Sequence, residues 1–516
     1  MAAILSRSAT GLLALALLAG ACAGAAETAS TPPTTTSTGS DAAASTTAGG
    51  TTTEQSTTTV ASTSTSTQPT TTAQPTTTAP PTTVTTSTST AAPTTTAEAP
   101  TTTVPPTTTS PPTTTVPPTT TSPPTTTVPP TTTTSAPVRL AWPDDVGTSR
   151  FGVLGRSFAI AGGWIRPHPG VFLWSDIERS QGTYNWMRVD WDVMGWQADR
   201  LAVLATVWPF NSWDQQSCHG DDPEIQPVLW ELPRRLFAPC DKAAYRDWLT
   251  ALVERYDGDG VDDMPGLAYP IRHWEIANEP AMQGGHGYFF QGTSADYLEL
   301  LATSASIIRT ADPEALVLTG GQAGMQPEFT DFWRPVLLEA GGSFDIGNIH
   351  SIGSDASFFS APYRAFLDST GHADIPYWVT EALLPTMPAP GQRAPTPDQL
   401  ARDTFTGFAS ALADGADRIF NVGPHDPTGG PGPESDAAFE LLARSIGGFS
   451  SASRLSPSST RFNLPDGTVT YLLWNGSGLP ADVTGEVMTT GYNGTTATAD
   501  ASTFRADVPT LVSVSP

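Results

Sequence analysis

Beyond residue 148 the chain alternates between two hydrophobic patterns. Short apolar runs, the mark of buried strands, are separated by segments whose apolar residues recur every three or four positions, the mark of amphipathic helices. Strands are predicted at 151–154, 163–168 and 201–208, at a fourth run ending in Glu279, and at 315–321, 344–350, 377–381 and 418–422. Helices are predicted at 190–200, 245–256, 295–310, 329–339, 363–369, 397–412 and 436–445, the third capped by Ser294 and stopped before Pro313. Strands alternating with helices imply a parallel sheet, and eight of them point to a closed (β/α)8 barrel of the TIM type. An open doubly wound sheet would place a glycine-rich phosphate loop after the first strand, and none follows Leu154.

After Gly448 the pattern shortens. Strand-like stretches at 461–464, 469–474, 481–484, 485–488 and 510–514, with turn pairs Asp466-Gly467 and Asn493-Gly494, predict a small antiparallel β domain. A carbohydrate-binding module would need a surface row of aromatics, which Trp474 and Tyr492 alone do not make.

Upstream of the barrel the composition is of another kind. From Thr28 to about Ala136 the chain is almost entirely Thr, Pro, Ser, Ala and Gly, with a twelve-residue repeat marked by Val104, Val116 and Val128. Too little apolar surface exists there to offset ordering entropy, so a disordered linker or stalk is expected, extended over on the order of 200–300 Å. A passive spacer of no required length is the plainer alternative. The expected division is a signal segment at 1–22, the linker at 23–137, the barrel at 138–450 and the β domain at 451–516.

The signal segment has Arg7, an apolar core from Leu12 to Leu18, and small residues before Cys22. This resembles a bacterial lipoprotein signal, with Ala19 at the position where a leucine is usual. The resemblance implies lipidation of Cys22, export, and a membrane contact only through that anchor. Ordinary cleavage near 21–26, giving a secreted protein, and an uncleaved anchor are the alternatives. Export permits disulfides, so Cys218 and Cys240 are expected to pair. The net charge is −26, and only Glu27, Asp41, Glu54 and Glu98 are charged between Arg7 and Arg139. An acidic folded part repels phosphate backbones, so nucleic acid is not an expected partner. No metal-ligand spacing or nucleotide fingerprint stands out, and no cofactor is implied.

The candidate chemistry lies in two glutamates. The fourth strand runs through Trp274-Glu-Ile-Ala-Asn-Glu-Pro280, and the seventh, Tyr377-Trp-Val-Thr-Glu381, ends the same way. Paired carboxylates at the C-terminal ends of barrel strands suit hydrolysis of a sugar acetal, where one gives a proton and the other attacks. The first stretch resembles the acid/base motif of the retaining glycoside hydrolases of clan A, with a general look of family 39 and family 5-like members, over about 149–448. That resemblance implies Glu279 as acid/base and Glu381 as nucleophile, with Asn278 contacting the sugar 2-hydroxyl and Arg166 holding the nucleophile ionised. A helix cap is the structural alternative for Glu279, and Glu339 or Glu434 are alternative acids to Glu381.

Arg166 has a second reading, an ion pair with Glu275, which strand alternation places on the inward face with Glu279. Trp208 ends strand three and either stacks on a sugar or packs in the core; His168 either reaches the cleft or packs in its loop. His350 stands near the tyrosine usual in the clan, and His425 follows strand eight where a tryptophan is usual. The expected function is a surface-displayed or secreted retaining β-glycosidase or endo-glycanase, monomeric, acting on an oligo- or polysaccharide. A non-catalytic glycan-binding protein on the same scaffold is the alternative, with a stalk protein capped by an inert barrel as the third.

Overall fold

A computed structural model describes residues 139–155, 160–168, 170–284, 287–386, 393–422 and 432–516. Cys22, the linker and His425 lie outside the described residues. The barrel strands are β1 (Phe151–Leu154), β2 (Trp164–Arg166), β3 (Ala202–Val207), β4 (His273–Ile276), β5 (Leu316–Thr319), β6 (Gly347–Ile352), β7 (Tyr377–Leu383) and β8 (Arg418–Val422). The helices are α1 (Trp174–Ile177), α2 (Met187–Ala198), α3 (Ser212–His219), α4 (Lys242–Glu254), α5 (Ser294–Ala311), α6 (Pro327–Glu339), α7 (Ser360–Ser369), α8 (Pro397–Ala413) and α9 (Pro433–Ile446). All paired strands in this sheet are parallel, in the order β5-β4-β3-β2-β1-β8-β7-β6. Parallel bridges Leu318↔Ile346 and Gln322↔Ile349 bring β5 against β6 and close the barrel.

Side-chain alternation divides each strand between two cores. Outward residues such as Val153, Val203, Val207, Trp274, Val317 and Ile419 pack with the helices. Inward residues form two layers. The lower one is apolar, with Trp164, Leu204, Leu318, Ile346, Trp378 and Phe420 in one buried cluster. Gly152 on β1 belongs to it by default, since a Cβ there would overlap the Phe420 ring. The Arg418 guanidinium caps this layer, 4.6 Å from the Trp164 ring centroid and 4.7 Å from that of Trp378. The upper layer is polar and carries the candidate site.

Two helix details differ from expectation. The α5 cap is Thr293, one residue earlier than Ser294, because Thr293 and Asp296 form a reciprocal capping box. The loop after β3 contains α3, whose first turn is capped by Asn211. Buried Asp214 in α3 accepts the amides of Cys240 and Asp241, and the Cys218–Cys240 disulfide closes the same segment. The expected pairing of these cysteines is therefore present.

From Ser451 a six-stranded antiparallel sheet follows: β9 (Ser451–Ser456), β10 (Ser459–Asn463), β11 (Val469–Leu473), β12 (Glu486–Gly491), β13 (Thr496–Asp500) and β14 (Thr510–Val514), in the order β13-β12-β14-β11-β10-β9. The stretch 481–484 is not a strand, whereas β9 and β13 escaped the hydrophobic pattern because they are rich in Ser, Thr and Ala. Tyr492 donates to Asp398 on α8 and Arg402 covers its ring at 5.0 Å, so this aromatic is spent against the barrel. No helix among the described residues is long and apolar enough to cross a membrane.

Candidate active site

The site begins with how β4 ends. Tyr297 of α5 donates to the Ile276 carbonyl at 3.0 Å and accepts the Gly320 amide at 2.7 Å, pinning the strand exit to β5. The chain then leaves through two left-handed residues, Ala277 at φ 60° and Glu279 at φ 40°. Each such conformation costs of order 1–3 kcal/mol in a non-glycine residue and persists only where the surroundings impose it. Here it turns both Asn278 and Glu279 to the barrel mouth, where they are buried.

A second irregularity serves β7. Its register against β6 and β8 shifts around Thr380, the signature of a bulge. Successive residues on a regular strand face opposite ways, yet Thr380 bonds Asn348 and His350 while Glu381 bonds Arg166. The bulge puts two neighbouring side chains on the same interior side.

Arg166 organises the upper layer. Its Nε and Nη2 donate to Glu275 at 2.6 and 3.0 Å, Nη2 also to Asn278 Oδ1 at 2.6 Å, and Nη1 to Glu381 at 2.7 Å. Both sequence readings of this arginine hold at once: it pairs with Glu275 and it grips Glu381. Thr206 and Asn348 supply further donors to Glu275, at 2.7 Å each. Burial would raise the Glu275 carboxyl, but the Arg166 charge and these partners pull it down to about 2.

His350 links the two glutamates. Nδ1 lies 2.8 Å from Glu279 and 3.6 Å from Glu381, and Nε2 lies 2.9 Å from Thr380 Oγ1. The Thr380 hydroxyl donates to Asn348 Oδ1 at 2.7 Å, so its oxygen accepts from His350 and Nε2 carries a hydrogen. Burial works against the charged ring, but Glu381, Glu275 and Glu279 together push His350 up to about 9. One oxygen of Glu279, one of Glu381 and a ring nitrogen of His350 all lie within 4.8 Å of one another.

The two glutamates are driven apart. Burial raises Glu279, and the Glu381 charge adds to it against the His350 contact. Burial would raise Glu381 too, but the His350 and Arg166 charges bring it below the ordinary carboxylate range. Glu339 and Glu434, the alternative acids, are exposed on α6 and α9.

His168 lies beside this pair, its Nδ1 3.4 Å from Arg166 Nη1 and 3.7 Å from Glu381. Burial first, then the Arg166 charge, lowers it to about 4, so the ring is neutral. Trp208 is fully buried and packs on His168 and Phe289, with ring centroids 5.8 and 6.0 Å away. Asn278 Nδ2, His168 Nε2 and Trp208 Nε1 are buried polar atoms without a hydrogen-bond partner. Thr206, Asn348 and Thr380 belong to the site but were not singled out in the sequence. Asn348 was within reach, two positions before His350 on one strand face; Thr380 was not, because only the bulge turns it inward.

No protein-family model matches the chain, and no curated protein matches it. Among solved structures, a glucosidase from Croceicoccus marinus superposes with a TM-score of 0.48 at 14% identity, over 74% of this chain and 97% of that one. The catalytic domain of the GH30 xylanase C from Talaromyces cellulolyticus gives 0.45 at 13%, over 73–74% of this chain being typical of the set and 74% here, with 98% of that chain covered. The family 44 endoglucanase Cel44A from Clostridium thermocellum gives 0.45 at 11%, over 72% of this chain and 97% of that one. Scores below 0.5 carry no weight by themselves; the fold rests on the strand pairing and the chemistry on the side chains.

Proposed function

We propose that this chain is a retaining β-glycoside hydrolase working by double displacement. The observation that carries the reading is the Glu279–Glu381 pair: oxygens within 4.8 Å across the barrel mouth, with one carboxyl pushed up and the other down. Retaining enzymes hold their carboxyl groups about 5–5.5 Å apart, and inverting ones need about 6.5–9.5 Å to admit a water. Two carboxyls whose environments split their affinities for a proton are the pattern of an acid beside a nucleophile.

Glu381 attacks the anomeric carbon and forms a glycosyl ester as Glu279 protonates the departing glycosidic oxygen. Glu279 then takes a proton from water, the water oxygen bonds to the anomeric carbon, and Glu381 leaves as the carboxylate. Arg166 and His350 keep Glu381 ionised between turnovers. Asn278 Nδ2 and Trp208 Nε1 are free donors for sugar hydroxyls, and so is His168 Nε2, because Nδ1 accepts from Arg166. The substrate is an oligo- or polysaccharide, and the N-terminal segment with Cys22 supports an exported enzyme, lipid-anchored or secreted.

The test is a screen of aryl β-glycosides and plant or microbial glycans with the full chain, following the first-formed anomer by NMR. Retained configuration, lost in Glu381→Ala, supports the reading. An inverted first product, or activity unchanged in that variant, ends it.

A further inference from the structure

The loop between α4 and β4 concentrates acids at the opposite end of the strands from the catalytic pair. Glu254 is the last residue of α4, where the helix dipole is negative and a carboxylate is unfavourable. Asp257 and Asp259 follow in the turn Asp257-Gly-Asp-Gly-Val-Asp-Asp263. One oxygen from each of Glu254, Asp257 and Asp259 lies within 4.8 Å of the others.

Asp257 is 1% exposed. Its Oδ1 accepts the Asp259 amide at 3.2 Å, whereas Oδ2 is buried and accepts no hydrogen bond. A buried carboxylate oxygen without a partner is expensive, and such groups are rare unless a ligand satisfies them. Nearby cations do not serve it. Arg139 Nη2 stands 4.0 Å from that oxygen but hydrogen-bonds Asp312, and Arg255 is held by Asp190 at 2.6 and 2.8 Å. Asp263 holds the turn itself: its two oxygens accept the amides of Gly258 at 2.9 Å and Gly260 at 2.8 Å.

We infer that Glu254, Asp257 and Asp259 bind a calcium ion that ties the end of α4 to the loop entering β4. Three carboxylates from a short, partly exposed turn offer hard oxygen ligands and leave room for water, and calcium tolerates such irregular sets of six to eight oxygens. Magnesium, which demands a near-ideal octahedron, is less suited. The position fits a structural site: in these barrels the face away from the C-terminal strand ends serves stability. The ion offsets the mutual repulsion of the three acids and orders the approach to the strand that bears Glu275 and Glu279.

The experiment uses the full chain, stripped with a chelator, dialysed and titrated with calcium chloride. Equilibrium dialysis is expected to find a bound calcium that Glu254→Gln/Asp259→Asn abolishes, and Tm is expected to rise by about 2–5 °C at saturation. Asp257→Asn is the second variant. Relieved of an unpartnered charge, it is expected to unfold no earlier than the parent in chelator, yet earlier than the parent in calcium. That crossover separates a metal site from a repulsive acid cluster. Three results overturn the inference: no bound calcium at about 10 mM, above the weakest extracellular sites; calcium binding retained in the double variant; or stabilisation by magnesium and not calcium.

Discussion

His350 and Glu279 meet at 2.8 Å, nitrogen to carboxyl oxygen, with the other ring nitrogen committed as a donor to Thr380. The proton in that contact is therefore shared between an imidazole and the proposed acid. The Glu381 carboxylate is near enough to feel which partner holds it, 3.6 Å from the same ring nitrogen.

Removing the ring shifts both glutamates the same way. The His350 charge lowers Glu279 and Glu381, so His350→Asn raises both carboxyls. Both limbs of the pH profile of kcat/KM are expected to move to higher pH. Limbs that stay in place while the rate falls would reduce His350 to a packing role.

Replacing the proposed acid, Glu279→Gln, is expected to lower turnover about 10²–10⁴-fold, the usual worth of a positioned proton donor. The loss should be smallest on aryl glycosides whose leaving groups need no proton. Equal losses across leaving groups, measured as kcat/KM along an aryl series, would contradict the role.

Arg166→Met leaves Glu275 and Glu381 buried with the guanidinium gone. Breaking one side of a buried ion pair typically costs about 3–5 kcal/mol. Denaturant unfolding should show a loss of that order, and Arg166→Lys should recover only part of it, since an ammonium cannot reproduce the fork to Glu275.

Gly321→Ala tests the room beside His350. A Cβ at this position would fall inside the imidazole ring, which is held on its far side by Thr380. The expected result is at least a tenfold drop in kcat with unchanged far-UV circular dichroism. Full activity would mean that the ring moves aside freely.

Stability should fall at both ends of the pH scale for separate reasons. His350 is raised from 6.5 to about 9 on folding, so its contribution is complete below about 6.5 and is lost as pH rises through 9. Glu275 is lowered from 4.5 to about 2, so its contribution is complete above 4.5 and is lost as pH falls toward 2. In His350→Asn the alkaline decline between pH 6.5 and 9 should flatten in urea-unfolding measurements, and the acid decline should remain.

The barrel was legible because buried parallel strands announce themselves as unbroken apolar runs, and helices between them by their period. Boundaries at β6 and α7 moved by several residues, since an apolar pattern marks burial and not the last backbone hydrogen bond. The strands β9 and β13 were hidden, as Ser and Thr on an exposed sheet leave no hydrophobic signature. Glu279 and Glu381 could be chosen from strand ends alone, and Arg166 with Glu275 from alternation.

Sequence by itself determined which strands carry the acids and that two cysteines could staple the loop after β3, because both follow from local order along the chain. Tertiary structure decided the rest: that Thr380 and Glu381 both face inward through a bulge, that His350 spans the two carboxyls, and that Arg166 serves two acids at once. Those relations join residues from strands far apart in the chain, and their energies depend on burial and on distances of a few ångströms. Neither exists until the barrel closes.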